Sequence, residues 1–292
     1  MRRWPNWVAA ASSSRRTTPG LGGRESVEDV ARVISGYSDV RVLRTFSQET
    51  IEGFCRVVIV PGHQALSDDR HPCQALTDLL TIRETFGDLA ARRLVFVGDG
   101  NNVAKSLAIA CGRVGLSMTL SAPDGYEFDN EFLELLAVAV PDPDLGVETD
   151  PMAAVAEADV IYTDVWASMG QESEKSERES AFAGHQVNAR LMAAAPETCR
   201  FMHDLPARRG LEVTDEVIDG PQSVVFRRPR TGCTWPRGCC SGCWVSEVNM
   251  ARHDGRAADQ LRAIEVTRGH RVRSGQHLHS RRTDDGAVHG EH

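Results

Sequence analysis

Long apolar runs, lysine and positive charge are all scarce in this sequence of 292 residues. The longest apolar run covers residues 135–140, far short of the roughly 18 residues that a membrane span needs, and no signal-peptide core follows the first residues. Acidic residues number 41 against 33 Lys and Arg, so the net charge of −8 gives no overall attraction to nucleic acid or to an anionic membrane. The chain is therefore predicted to be cytoplasmic and to bind neither nucleic acid nor membrane.

The patterns for metal and dinucleotide binding are incomplete. Four of the eight cysteines lie within eleven residues, but only Cys240 and Cys243 have the spacing of zinc ligands, and no second pair mirrors them. A dinucleotide fingerprint that begins with Gly98 and Gly100 lacks its third glycine, because Val103 stands there. The sequence thus predicts neither a structural zinc site nor a Rossmann-type cofactor.

Short β-branched apolar runs alternate with longer amphipathic segments between residues 25 and 226. The predicted strands are 40–44, 57–60, 94–97, 117–121, 160–163, 200–203 and 223–226. The predicted helices are 26–36, 71–86, 102–115, 129–139, 151–157 and 186–194. This alternation is typical of α/β folds, in which helices cover both faces of parallel sheets. Residues 1–24 and 227–292 follow neither period, and both ends are predicted to be disordered.

Polar residues follow several of the predicted strands, where ligands bind in parallel sheets. Arg44 can bind a phosphate or remain a solvated charge. His71 and Gln74 share one face at the start of a helix, an arrangement that can hold an oxyanion or merely cap the helix. Asp164 can receive an ammonium group or cap a loop.

Two further junctions carry polar side chains. Asn101 and Asn102 open a helix after a tight turn, which suits a polar ligand or simple helix capping. His203 next to Asp204 can exchange protons or fill a loop. Separately each junction is ambiguous, but all of them lie on one α/β frame.

Long ordered motifs run through this part of the chain. They are ESVEDVARVISGY (25–37), RTFSQE (44–49), HPCQALTDLLTIRE (71–84), FVGDGNNVAKSL (96–107), PDGYEFD (123–129), ADVIYTDVWASMGQE (158–172), FAGHQVN (182–188) and EVTDEVIDGPQSVVF (212–226). With these motifs the sequence resembles the carbamoyltransferases, and within them the ornithine carbamoyltransferases, over about residues 24–226. The DxxxSMG loop separates the ornithine enzymes from the aspartate branch.

The resemblance implies two Rossmann-like parallel-sheet domains, of which the first is incomplete here. It implies transfer of the carbamoyl group of carbamoyl phosphate to the δ-amine of L-ornithine, giving L-citrulline and phosphate in arginine metabolism. No metal or organic cofactor takes part, and the family forms homotrimers. By the resemblance, the carbamoyl phosphate ligands are Arg44, His71 and Gln74, with Arg44 and His71 stabilising the carbonyl oxyanion. The ornithine ligands are Asn102, Asp164, Ser168, Met169 and Leu205.

Two departures from the family pattern bear on activity. The Ser-Thr-Arg-Thr phosphate-binding motif is absent before position 24. At position 204, a catalytic position of the family, Asp replaces the Cys of His-Cys-Leu-Pro, which puts a carboxylate beside the reacting amine. The alternative hypothesis is a non-catalytic ornithine-binding or regulatory paralogue, or the inactive product of a pseudogene.

The resemblance also divides the chain into four parts. Residues 25–86 correspond to a partial carbamoyl-phosphate domain with its linker helix, and residues 87–226 to an ornithine-binding domain. Residues 1–24 and 227–292 are aberrant. Read one phase over with GC-rich codons, both ends resemble family segments, so we hypothesise frameshifted translation flanking an in-frame middle.

Overall fold

The computed structural model describes residues 25–37, 41–58, 62–167 and 172–226. The two ends predicted to be disordered, 1–24 and 227–292, lie outside the described residues, as do Ser168 and Met169. The fold is α/β with parallel sheets, as the sequence predicts. No helix within the described ranges is long and apolar enough to cross a membrane.

Residues 25–86 form a small two-stranded layer with helices. The elements are α1 Val27–Ser35, β1 Arg41–Arg44, α2 Gln48–Val57, β2 Gly62–Leu66 and α3 Pro72–Phe86. Strands β1 and β2 pair in parallel, with Arg41 opposite Gly62. Helix α1 begins at Ser26, whose hydroxyl accepts a hydrogen bond from the Asp29 amide.

Residues 93–226 form a larger layer built on a five-stranded sheet. Its elements are β3 Arg93–Val97, α4 Asn102–Val114, β4 Ser117–Ser121, α5 Asn130–Ala139, β5 Leu145–Val147, α6 Pro151–Ala154, β6 Val160–Thr163, α7 Lys175–Ala181, α8 Ala189–Ala194, β7 Arg200–His203 and α9 Asp215–Ile218. Short 3₁₀ turns occupy Val155–Glu157, Glu172–Glu174 and Ala183–His185. The strand order is β5-β4-β3-β6-β7, with every pairing parallel.

The apolar run of β3 explains its central position. Leu94 and Phe96 pack on one face of the sheet in a cluster with α3, α4 and α5. Val95 and Val97 pack on the opposite face, against residues of α8 and α9. Alternate side chains of a strand point to opposite faces, so a strand that is apolar throughout is stable only where both faces are covered.

The order of the strands determines where a ligand can bind. From β3 the chain first builds outward through β4 and β5, and then returns to place β6 and β7 on the other side of β3. The carboxyl ends of β3 and β6 therefore flank a topological switch point, the usual ligand crevice of such sheets. The loops that begin at Gly98 and Asp164 lie at this crevice.

Two sequence predictions of local structure are wrong. Val57 ends α2 instead of beginning a strand. The strand of this region is Gly62–Leu66, whose polar residues do not form the apolar pattern of a strand. Residues 223–226 form turns with one isolated bridge between Phe201 and Ser223. The charged segment after position 172 contains the buried Arg178.

Candidate active site

His71 and Gln74 lie at the start of α3, where Pro72 occupies the first turn. The His71 amide donates to the Ser106 hydroxyl at 2.7 Å, which fixes the start of α3 against α4. Burial lowers the pKa of His71 although the charge of Asp204 opposes this effect. The imidazole is therefore neutral near pH 7, and a neutral ring can donate one N–H to a carbonyl oxygen. Its Nδ1 atom is buried without a hydrogen-bond partner among the described residues.

Arg44 ends β1 with an exposed side chain. Its positive charge contributes to lowering the pKa of His71, so the guanidinium lies within electrostatic range of the imidazole. An exposed guanidinium beside a neutral imidazole can bind an anion whose carbonyl oxygen reaches the ring. The structure thus brings together the first two residues implied for carbamoyl phosphate.

Gln74 is tied to a buried carboxyl group. Its Nε2 donates to Oδ1 of Asp78 at 3.0 Å, and the Tyr162 hydroxyl donates to Oδ2 of Asp78 at 3.0 Å. Burial raises the pKa of Asp78 to about 8, although both hydrogen bonds oppose the shift. The sequence analysis missed Asp78 and Tyr162. Asp78 could have been found, because it is four residues after Gln74 and so lies on the same face of a helix.

The turn after β3 connects α4 to the other side of the site. Asn101 caps α4, since its Oδ1 accepts from the amides of Val103 and Ala104. Its Nδ2 donates to Asp164 at 2.9 Å. Asn102, the predicted ornithine ligand, donates from Nδ2 to the Ser67 carbonyl at 2.8 Å, and its role as an ornithine ligand stays a prediction. Asn101 therefore both caps the helix and orients the carboxyl group of Asp164.

Asp164 lies at the carboxyl end of β6 and is buried. Its Oδ1 accepts from the Val165 amide at 2.6 Å. Burial raises the pKa of Asp164 well above its usual value, and the neighbouring carboxyl group of Asp204 raises it further. A cationic amine that pairs with Asp164 would counter both effects.

Asp204 faces both Asp164 and His203. Possible ligand atoms of Asp164, His203 and Asp204 all lie within 4.8 Å of one another. His203 Nδ1 is 3.3 Å from Asp204, and His203 Nε2 is 3.4 Å from the buried Glu212. Burial lowers the pKa of His203, but hydrogen bonds with Asp204 and Glu212 outweigh it and raise the pKa to about 9. The Leu205 amide also donates to His203 Nδ1, at 2.9 Å, and so competes with Asp204 for that atom.

Arg178 connects the two loops of the crevice. From α7 its Nη1 donates to Asp99 at 2.7 Å and to the Trp166 carbonyl at 3.1 Å, while its Nε donates to Glu174 at 3.0 Å. Arg178 was missed because its neighbours in the sequence are charged and exposed. Ser168 and Met169 follow Trp166 and lie outside the described residues, so their contacts stay predictions.

Two family models match the chain. "Aspartate/ornithine carbamoyltransferase, carbamoyl-P binding domain" covers residues 8–84, and "Aspartate/ornithine carbamoyltransferase, Asp/Orn binding domain" covers residues 91–234. The chain is 46% identical over 210 residues to the ornithine carbamoyltransferase of Bacillus subtilis, which covers 71% of this chain and 66% of that protein. It is 47% identical to the enzyme of Geobacillus stearothermophilus, over 71% of this chain and 68% of that protein.

Solved structures give the same result. The ornithine carbamoyltransferase of Pyrococcus furiosus is 44% identical with a TM-score of 0.67, over 71% of this chain and 67% of that chain. The ornithine transcarbamoylase of Giardia lamblia is 28% identical with a TM-score of 0.64, over 69% of this chain and 68% of that one. The chain spans about two thirds of the length of these relatives.

Proposed function

The chain belongs to the aspartate/ornithine carbamoyltransferase family, and from this premise we propose that it binds carbamoyl phosphate and L-ornithine and forms L-citrulline and phosphate. One observation carries the proposal. The carboxyl group of Asp164, at the end of β6, lies within 4.8 Å of possible ligand atoms of His203 and Asp204, and the charge of Asp204 also reaches the imidazole of His71, at the start of α3.

Carbamoyl phosphate would bind on the α3 side of this crevice. Arg44 supplies positive charge for the phosphate or the carbonyl oxygen, and the His71 ring donates an N–H to that oxygen. Gln74 contacts the carbamoyl amide. These donors stabilise the negative charge that develops on the carbonyl oxygen when an amine attacks the carbon.

L-Ornithine would bind on the β6 side, with its α-ammonium paired to Asp164. Its δ-amine attacks the carbamoyl carbon, so a C–N bond forms while the bond from carbon to the phosphate oxygen breaks. The bond pair leaves with the phosphate oxygen, and the one proton that the amine releases goes to this phosphate, which departs as hydrogen phosphate dianion. Holding the two substrates side by side supplies much of the acceleration, and no covalent enzyme intermediate is needed.

Assembly and location are part of the same proposal. Family resemblance supports a homotrimer, which sedimentation of the purified chain would test. A cytoplasmic location is supported by Cys55, Cys111 and Cys199, which are free thiols and fit a reducing compartment. The proposal includes neither nucleic acid nor membrane as a partner.

Citrulline formation by the purified chain from carbamoyl phosphate and L-ornithine tests the function. Activity that falls by a factor of about 100 or more in His71→Asn, but not in the exposed Asp124→Asn, supports the assignment. Calorimetry with each substrate alone separates the alternatives. A chain that binds ornithine but forms no citrulline is the non-catalytic ornithine-binding protein, and a chain that binds neither substrate refutes the proposed function.

A further inference from the structure

Asp78 is a buried acid that the proposed reaction does not use. It lies in the middle of α3, is 3% exposed, and has hydrogen bonds to one residue of its own helix and one of β6. An ionised carboxyl group in such a place costs stability, and burial accordingly raises the pKa of Asp78. Its two partners, Gln74 and Tyr162, indicate what it does.

The contact restricts the side-chain amide of Gln74. A carboxylate oxygen only accepts hydrogen bonds, so the Gln74 amide must turn its nitrogen to Asp78. The Tyr162 hydroxyl can donate or accept, so it can accept a hydrogen bond from Oδ2 when Asp78 is protonated on that atom. Oδ1 of Asp78 then remains an acceptor for Gln74 in both protonation states. No donor among the described residues occupies Oε1 of Gln74.

We propose that Asp78, held by Tyr162, is the positioning residue that keeps the Gln74 carbonyl oxygen directed to the substrate amide. The inference rests on the proposed function, in which Gln74 contacts the carbamoyl group. The carbamoyl NH₂ can only donate to such a contact, so an inverted Gln74 amide would place two donors face to face. Asp78 excludes that inverted state without touching the substrate.

Exchanging donor and acceptor between the two side chains tests the proposal. In Gln74→Glu, two carboxyl groups meet when Asp78 is ionised. In the double variant Gln74→Glu with Asp78→Asn, the new amide donates to Glu, whose second oxygen again accepts from the substrate. Measurements at pH 9 keep Asp78 ionised; besides its two partners, Asp204 and Cys111 are the titratable groups close enough to interact with it. Glu84→Gln, which removes an exposed acid from the same helix, replaces Asp78→Asn in the control double variant.

Binding of phosphonoacetamide, a stable carboxamide analogue of carbamoyl phosphate, is measured by calorimetry. Gln74→Glu should weaken binding by a factor of about 30, and adding Asp78→Asn should recover about tenfold, whereas adding Glu84→Gln should recover none. Asp78→Asn alone should cost no more than about threefold, because its amide can adopt either orientation. A double variant that binds no better than Gln74→Glu would overturn the proposal.

A second readout does not depend on substrate binding. In a chain labelled with ¹⁵N-glutamine, the Gln74 NH₂ signals are those that disappear in Gln74→Glu. We expect Asp78→Asn to shift them, because a neutral amide replaces the carboxyl group that accepts from Gln74, with Glu84→Gln leaving them unchanged. If the chain binds no phosphonoacetamide, the proposed function fails, and this spectrum still decides whether Asp78 orients Gln74. Gln74 signals that are unchanged in Asp78→Asn would refute the positioning role of Asp78.

Discussion

Replacing Asp204 by asparagine should lower the pKa of His203 and flatten the loss of stability at alkaline pH. The His203 side chain is fully buried between two carboxyl groups, at 3.3 Å from Asp204 and 3.4 Å from Glu212. Burial opposes ionisation of His203, but the carboxyl groups of Asp204, Glu212 and Asp164 together outweigh it and raise the pKa from 6.5 to about 9. Asp204 is the largest of these raising effects, so the pKa of His203 should fall in Asp204→Asn.

The raised pKa of His203 makes the native chain less stable as the pH rises. A histidine whose pKa is raised on folding stabilises the native state fully below the unfolded value of 6.5, and this contribution is lost as the pH rises through about 9. The whole contribution of His203 is about 3 kcal/mol, and Asp204 supplies part of it. The carboxyl group of Asp204, within 4.8 Å of that of Asp164, also raises the pKa of Asp164, and a carboxyl group with a raised pKa loses stability as the pH rises. Both contributions make the native chain lose stability as the pH rises, that of His203 between about 6.5 and 9, and Asp204→Asn weakens both.

The assay is urea unfolding at pH 6, 8 and 10, combined with ¹³C titration of histidine-labelled chain. The free energy of unfolding of the native chain should fall by at least about 2 kcal/mol more than that of Asp204→Asn across this range. The exposed Asp124→Asn should follow the native curve. Parallel curves, with a His203 pKa near 6.5 in both chains, would refute the reasoning, and would mean that the Leu205 amide keeps Nδ1 unprotonated.

Three further perturbations have defined outcomes. Gly100→Ala places a Cβ 2.9 Å from the backbone of residues 127 and 128, so urea unfolding should show a loss of about 1–3 kcal/mol, whereas Gly62→Ala meets nothing within 4 Å and should cost less than 1 kcal/mol in the same measurement. Arg178→Lys cannot keep its bonds to both acids and the Trp166 carbonyl, so calorimetry should show ornithine binding weakened about tenfold, whereas the exposed Lys175→Arg should not change it. The pKa of Asp78 is raised from 3.8 to about 8, so its ionisation costs no stability below pH 4 and up to about 5 kcal/mol as the pH rises towards 8. The free energy of unfolding in urea should therefore fall less over this range in Asp78→Asn than in the native chain, and an equal fall in both chains would contradict the burial argument.

The large sheet could be predicted from the sequence because its strands are continuous apolar runs. Strand β4 has the predicted bounds Ser117–Ser121, and β6 has the predicted bounds Val160–Thr163. Strand β2 could not be predicted, since His63 and Gln64 break the apolar pattern and its parallel pairing with β1 depends on contacts distant in the sequence. Short elements such as α9, four residues long, carry no period that a sequence could reveal.

The candidate site could be predicted in its strand-end residues, because polar groups that follow apolar runs stand out. The residues that hold those groups are less visible. The sequence predicts Tyr162 only as part of a buried strand, and the structure is needed to show that its hydroxyl donates a hydrogen bond to Asp78. Asn101 looks like an ordinary helix cap, which it is, and its second contact with Asp164 crosses 63 positions of the sequence.

The number of acids in the crevice determines the charge that a ligand meets. Asp78, Asp204 and Asp164 all raise the pKa of Tyr162, after burial, so three carboxyl groups converge on one buried hydroxyl. With cysteine at position 204, as the family resemblance implies, only two would be present. A third carboxyl group must share a proton or pair with a cation, and His203 is the cation that the fold provides. The same carboxyl group favours a protonated amine, and a protonated δ-amine cannot attack the carbamoyl carbon. Asp204 therefore strengthens the attraction of the site for a diamine while it opposes the reaction of that diamine, and the proposed transfer should require a higher pH than it would with cysteine at this position.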